Sequence, residues 1–194
     1  MTILVLGVGN LIMSDDGIGV RVVQRLLERY SFPAGVRVVD GGTLGLDLLP
    51  MLEGVEKLLL IDAVETGTAS ETICRLSGAE IPRAMKTRLS PHQAGLQDLL
   101  LLAELQGHLP GETVLLGVRP ETIGLGLTLS AQVASCLDPL VALALEELER
   151  WGVKADPATR KKTTGTAPHP VNLHYPGPGD SRRKGMPLLR ISSS

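Results

Sequence analysis

Apolar residues in this chain alternate between short unbroken runs and segments spaced at three and four positions. The first pattern predicts strands buried on both faces and the second predicts helices, and their alternation predicts a largely parallel sheet covered on both sides. Residues 3–8 read as a first strand, continuous rather than alternating. Val20, Val23, Leu26, Leu27 and Tyr30 then share one helical face. Residues 36–39 form a second strand, 46–52 a short helix and 57–61 a third strand, while 65–70 has turn chemistry and 72–76 adds an antiparallel strand. A leucine-rich helix follows at 91–105, then a strand at 113–118. Val133, Leu137, Leu140, Val141, Ala144, Leu145 and Leu148 line a last helix that Pro139 bends or restarts, with Asp138 available as its cap. The expected fold is a three-layer α/β/α sandwich around a mostly parallel, mixed sheet of about five strands.

Composition sharpens this picture at the C-terminus. Hydrophobic residues make up 43% of the 194 positions and aromatic ones 2%, so the core is aliphatic and ample for one domain. Beyond Val153 the periodic pattern gives way to six prolines and four glycines, which divides the chain into a domain at 1–152 and a largely unstructured tail at 153–194. Charge follows the same division, −8 for the first part and +6 for the second. The acidic body repels nucleic acid. The basic tail lacks interleaved aromatics for base stacking and reads as a solvated extension, although the segment 169–176 is richer than a linker needs. The apolar runs are too short to cross a bilayer and no export signal is visible, so the cytoplasm is the default expectation, with a monomer and no membrane partner. Cys74 and Cys136 form no C-x-x-C pair and take packing roles.

Familiar catalytic signatures of P-loop enzymes, zincins and α/β-hydrolases are missing. A dinucleotide fingerprint is partly present, with Gly7 and Gly9 after the first strand and Asp40 after the second, but Ile12 stands where a third glycine belongs. In an open parallel sheet, ligands bind beyond the carboxyl ends of the strands, and three polar residues fall there: Asp16, Asp62 and His92. Asp16 could equally cap the helix beginning near Gly17, a role that Ser14 or Asp15 could also take. A carboxylate at Asp62, on so apolar a strand, needs a partner, a cation or water to offset its desolvation. Ser90, Pro91 and Gln93 compose a capping box that places His92 in the first turn of a helix, where the dipole favours the neutral imidazole and leaves a lone pair for a metal. Two carboxylates and one imidazole suit an open site for a divalent transition ion, without distinguishing nickel, zinc, manganese or iron. Asp40, Gly41, Gly42 and Thr43 read either as a glycine turn with a capping threonine or as a backbone surface that a peptide can approach. His108 reads as a loop histidine.

Gly7-Val8-Gly9-Asn10, Asp15-Asp16-Gly17-Ile18-Gly19, Asp40-Gly41-Gly42-Thr43, Asp62-Ala63 and Ser90-Pro91-His92-Gln93, in this order and spacing, resemble the hydrogenase maturation peptidases over about residues 1–153. The resemblance implies an aspartyl-type endopeptidase that trims the C-terminus of the [NiFe]-hydrogenase large-subunit precursor after nickel insertion, with nickel as the recognition element. By matched position it makes Asp16, Asp62 and His92 the catalytic and metal-binding residues, with Asp40 to Thr43 seating the substrate. Some members carry glutamate where this chain has the shorter Asp16, and the basic tail is outside the family pattern. Two other readings remain on the residues alone: a Rossmann-like nucleotide-binding module using Gly7, Gly9 and Asp40, and a metallohydrolase holding its own ion.

Overall fold

Strand β1 (Ile3–Val8) is buried at every position, as its unbroken apolar run requires of a strand between two neighbours. A computed structural model describes residues 1–64, 72–84 and 91–158, and only the backbone at 83, 84, 91 and 92. After β1 a 3-10 turn (Ser14–Gly17) leads into α1 (Ile18–Arg29). The chain continues through β2 (Tyr30–Ser31), β3 (Val36–Gly42), a second 3-10 turn (Gly45–Leu48), α2 (Leu49–Leu52) and β4 (Lys57–Ala63). Then come β5 (Ile73–Ser77), α3 (Glu80–Ala84), α4 (Pro91–Leu105), β6 (Glu112–Val118), α5 (Ala131–Ser135), α6 (Leu137–Arg150) and β7 (Asp156–Pro157).

Five strands form the central sheet in the order β3-β1-β4-β6-β5, with β5 alone antiparallel to its neighbour. Alternating side chains divide the core into two layers. Ile3, Val5, Leu59, Ile61, Val114 and Leu116 pack with α1, α5 and α6 on one face, whereas Leu4, Leu6, Leu58, Leu60 and Leu115 pack with α2 and α4 on the other. The three-layer sandwich expected from the sequence is therefore the observed one. Because β3 and β4 flank β1, successive connections leave β1 in opposite directions and open a crevice at the carboxyl ends of β1 and β4.

Several local expectations are corrected. Leu27 does not share the buried face of α1: it is half exposed, and Val22 is buried instead, because the true axis of burial runs through Ile18, Val22 and Leu26. Tyr30 has already left the helix and starts β2. Strand β3 runs on through Gly42 and β4 through Ala63, so Asp40 and Asp62 sit within strands rather than just after them. The last helix restarts at Leu137, after a first segment that Ser130 caps by accepting from Val133 N. Asp138 is not its cap; it accepts from Arg25 and Arg29 and ties α6 to α1. Residues 153–158 lie with the body: β7 pairs with β2, and Ala158 N donates to Arg29 O. The chain divides into compact units at Met1–Thr159 and Arg160–Ser194, of which the second, like the turn expected at 65–70, is outside the described residues. No helix among the described residues is long and apolar enough to cross a membrane.

Two buried carboxylates tie segments distant in sequence together. Glu147 of α6 accepts from Arg75 of β5 at 2.9 and 2.7 Å and from Arg150 at 2.8 Å. The Arg75 guanidinium hydrogen-bonded to it holds its carboxyl below the usual carboxylate range, against the opposing effect of burial. Asp15 accepts from the backbone of Glu121, Thr122 and Ser130 at 3.0, 2.9 and 2.7 Å, so one side chain gathers the loop after β6.

Because the folded-state pKa of Glu147 is depressed, its stabilisation is fully present above the unfolded carboxylate range and is lost as pH falls through the folded value. Glu147→Gln is expected to cost about 2 kcal/mol near pH 7, and denaturant titrations of both forms should converge as pH drops below about 4. Asp15→Ala strands three backbone N–H groups and is expected to cost about 2–3 kcal/mol in the same titration.

Candidate active site at the carboxyl ends of β1 and β4

Asp62 is the sixth residue of a strand whose other inward side chains are aliphatic, and it is 0% exposed. By strand alternation it follows Leu58 and Leu60 onto the face covered by α4. Its Oδ1 accepts from Ala63 N at 2.7 Å. Burying a carboxylate this deep costs several kcal/mol in lost hydration unless hydrogen bonds or a cation offset it.

Asp16 reaches the same end of the sheet from the opposite face. It lies 1% exposed in the Ser14–Gly17 turn, which packs against β4, and its Oδ2 accepts from Asn10 N at 3.1 Å. Glycines make the approach feasible. A Cβ on Gly9, whose φ is +131°, would come within 1.9 Å of Asp16 O, and one on Gly19 within 2.1 Å of Ile61 O, the residue before Asp62. Asp16 caps nothing with its carboxylate in α1, because the residue at the helix start is Gly17 and no side chain bonds there.

The backbone of His92 lies in the first turn of α4. Its neighbour Gln93 is buried and donates from Nε2 to Ala63 O, which fixes the start of α4 against the residue that follows Asp62. Further along, α4 crosses the Gly45–Leu48 turn at bare backbone: a Cβ on Gly95 would stand 3.1 Å from Gly45 Cα. The structure thus brings Asp16, Asp62 and the His92 backbone to one end of β1 and β4. The His92 side chain and the Ser90 cap are outside the described residues. Among the described residues no three His, Cys, Asp or Glu side chains group as a metal site, and the expected trio includes that imidazole.

Asp40, Gly41, Gly42 and Thr43 end the neighbouring edge strand. Asp40 is exposed, its Oδ1 accepting from Gly42 N at 3.1 Å and its Oδ2 from Gln24 Nε2 at 3.2 Å. Gly41 is pressed on Leu6, and Gly42 O accepts from Gly9 N, which joins this segment to the loop of Asp16. Thr43 is exposed. Cys136 is buried, with its thiol pushed up by desolvation, which suits packing rather than nucleophilic attack.

Sequence reading missed the part played by residues 119–130. Asp15 clamps this loop, Ser14 Oγ donates to Gly124 O at 3.0 Å, and Ser14 N and Gly126 N bond Gly126 O and Ile12 O. Its only sequence signal is Gly-Leu-Gly-Leu at 124–127, apolar residues in a segment too glycine-rich for a helix.

Residues 20–147 match the family described as HycI, hydrogenase maturation protease. The chain is 44% identical over 155 residues to the hydrogenase expression/formation protein HoxM of Azotobacter vinelandii, covering 79% of this chain and 75% of that protein. It is 38% identical over 158 residues to the hydrogenase 2 maturation protease of Escherichia coli, covering 81% and 96%. Among solved structures, the E. coli hydrogenase maturating endopeptidase HybD superposes with a TM-score of 0.76 at 38% identity, covering 81% of this chain and 98% of that one. The [NiFe] hydrogenase maturation protease HybD of Thermococcus kodakarensis superposes at 0.62 with 32% identity, covering 76% and 99%. The chain therefore belongs to the hydrogenase maturation protease family, whose members are peptide hydrolases.

Proposed function

We propose that this peptidase removes the C-terminal peptide of a [NiFe]-hydrogenase large-subunit precursor once nickel has been inserted, and that Asp16, Asp62 and His92 complete the coordination of the nickel that the precursor presents. The observation that carries this reading is the fully buried Asp62 at the end of β4, with the Asp16 turn packed on the same strand and the first turn of α4 anchored to the adjoining Ala63 carbonyl. Two carboxylates and an imidazole are a donor set of oxygen and nitrogen that fits a divalent transition ion. The ion supplies Lewis acidity toward the scissile carbonyl or the attacking water.

The chain's own residues do the rest. Whichever of Asp16 and Asp62 is not fully engaged by the ion accepts a proton as water adds to the scissile carbonyl, then returns it to the departing amine as the C–N bond breaks. Burial of both carboxylates lowers the dielectric around them, so their interactions are less screened than in bulk water. Asp40, with Gly41, Gly42 and Thr43, seats the substrate peptide at the edge strand, where Gly42 leaves main chain open to approach while Gly41 packs inward on Leu6. The same geometry disfavours a nucleotide-binding module: the loop after β1 turns the exposed Ile12 where the third glycine would lie, and is filled by its own Asp16 and Gly9 contact.

Incubation of the purified chain with nickel-free and nickel-loaded precursor, followed by mass analysis of the C-terminus, tests this. Cleavage of the loaded form alone is expected; equal cleavage of both refutes nickel sensing, and cleavage without any precursor-bound nickel favours a resident ion. Asp62→Asn and His92→Ala are each expected to slow processing at least roughly a hundredfold without changing the unfolding free energy by more than about 1 kcal/mol. Cys136→Ala should process at the normal rate. Normal processing by His92→Ala removes the three-ligand assignment.

A further inference from the structure

The loop at 119–130 is fixed more firmly than its surface requires. Asp15, buried, accepts from three of its backbone N–H groups; Ser14 bonds Gly124 O and Gly126 O; Gly126 N bonds Ile12 O; and Arg21 donates to Leu127 O. Met13 and Gly126 form a parallel bridge, and a Cβ on Gly126 would stand 2.6 Å from Ser14 Oγ, so the two loops are in direct backbone contact. Leu129 of this loop packs against the core, yet two neighbouring leucines do not. Leu125 is 87% exposed and Leu127 69%, and across the bridge Ile12 is 53% exposed. Backbone ordering has an entropic cost that burial of neighbouring leucines ordinarily offsets; here the backbone is fixed while Leu125 and Leu127 stay in water. Three large apolar side chains on two zipped loops form an exposed patch of the kind that marks an interaction surface.

Its location identifies the occupant. The strip adjoins Ser14, two residues from Asp16, so it borders the carboxylate end where the scissile peptide must enter. We infer that Ile12, Leu125 and Leu127 form a preorganised apolar docking strip for the precursor polypeptide beside its scissile bond, with Asp15 the positioning residue that holds the strip in place. The inference rests on the proposed function and adds the surface that supplies binding. A strip that is already rigid loses little freedom when the substrate arrives, so its leucines act on the stability of the enzyme–precursor complex rather than on the chemical step. The precursor segment that meets it carries non-polar side chains.

The test is steady-state processing of the nickel-loaded precursor by the full chain and by the double variant Leu125→Ser/Leu127→Ser, whose positions are exposed and leave the core untouched. The expected result is KM raised roughly tenfold or more with kcat within about twofold, and a normal unfolding midpoint. Asp15→Asn, which weakens the clamp, should shift KM in the same direction while Leu101→Ser, at another exposed leucine, on α4, should not. Unchanged KM in the double variant overturns the inference. So does a wild-type dimer in sedimentation that the double variant abolishes with processing intact, since the strip then joins two copies of the chain. Failure of the wild-type chain itself to process nickel-loaded precursor overturns the proposed function, and the docking strip falls with it.

Discussion

Helix α1 begins in backbone contact with the sheet, and the geometry of the whole carboxyl end depends on that contact. Gly19 leaves no room between α1 and the carbonyls of Val8 and Ile61, while Gly9, in a backbone conformation open to glycine, lies against the carbonyl of Asp16. With any side chain at either position the helix would have to lift away from β1 and β4. The turn that carries Asp16 would lift with it, and its packing on β4 would open. Removing two Cβ atoms therefore determines how near a carboxylate from one layer can stand to Asp62, whose side chain faces the other.

Adjacent aspartates divide the work at this end. Asp15 is fully satisfied by three backbone donors and acts as a structural anchor for the loop after β6. Asp16 turns the opposite way, toward Asn10 and β4. Burying a carboxylate costs several kcal/mol unless hydrogen bonds or charge offset it, and three charge-assisted bonds offset it for Asp15. The remote Glu147 is offset by Arg75 and Arg150. Asp62 stands at the end of an otherwise aliphatic strand and accepts from Ala63 N, and the proposed cation would add to that support. A rigid frame of this kind suits an endopeptidase, since the reacting groups are held before substrate arrives.

Much of the frame was legible in the sequence because continuous apolar runs admit few placements: Ile3–Val8 and Pro91–Leu105 were read to the residue. Errors arose where tertiary contacts override local pattern. Leu27 satisfies the helical period but faces solvent, since α6 packs on Val22 and Leu26 from a direction the period alone does not give. Asp138 has the chemistry of a cap, yet two arginines of α1, more than a hundred positions earlier, claim it. Asp16 and Asp62 could be singled out by position at strand ends, whereas the clamp of Asp15 on residues 119–130 has no local signature, because its partners are backbone groups of a distant segment. The short β7 was hidden by a proline and a change of composition, although pairing of just two residues suffices to keep the chain on the body.

The central claim is that Asp16, Asp62 and His92 converge on a single nickel ion brought by the substrate. Nickel K-edge X-ray absorption of the loaded precursor, recorded alone and after mixing with excess peptidase and freezing before turnover, tests it most directly. The account predicts that new oxygen and nitrogen scatterers join the nickel shell on mixing, and that His92→Ala removes part of that change. An identical nickel environment with and without the peptidase, under conditions where the precursor is processed, would contradict it.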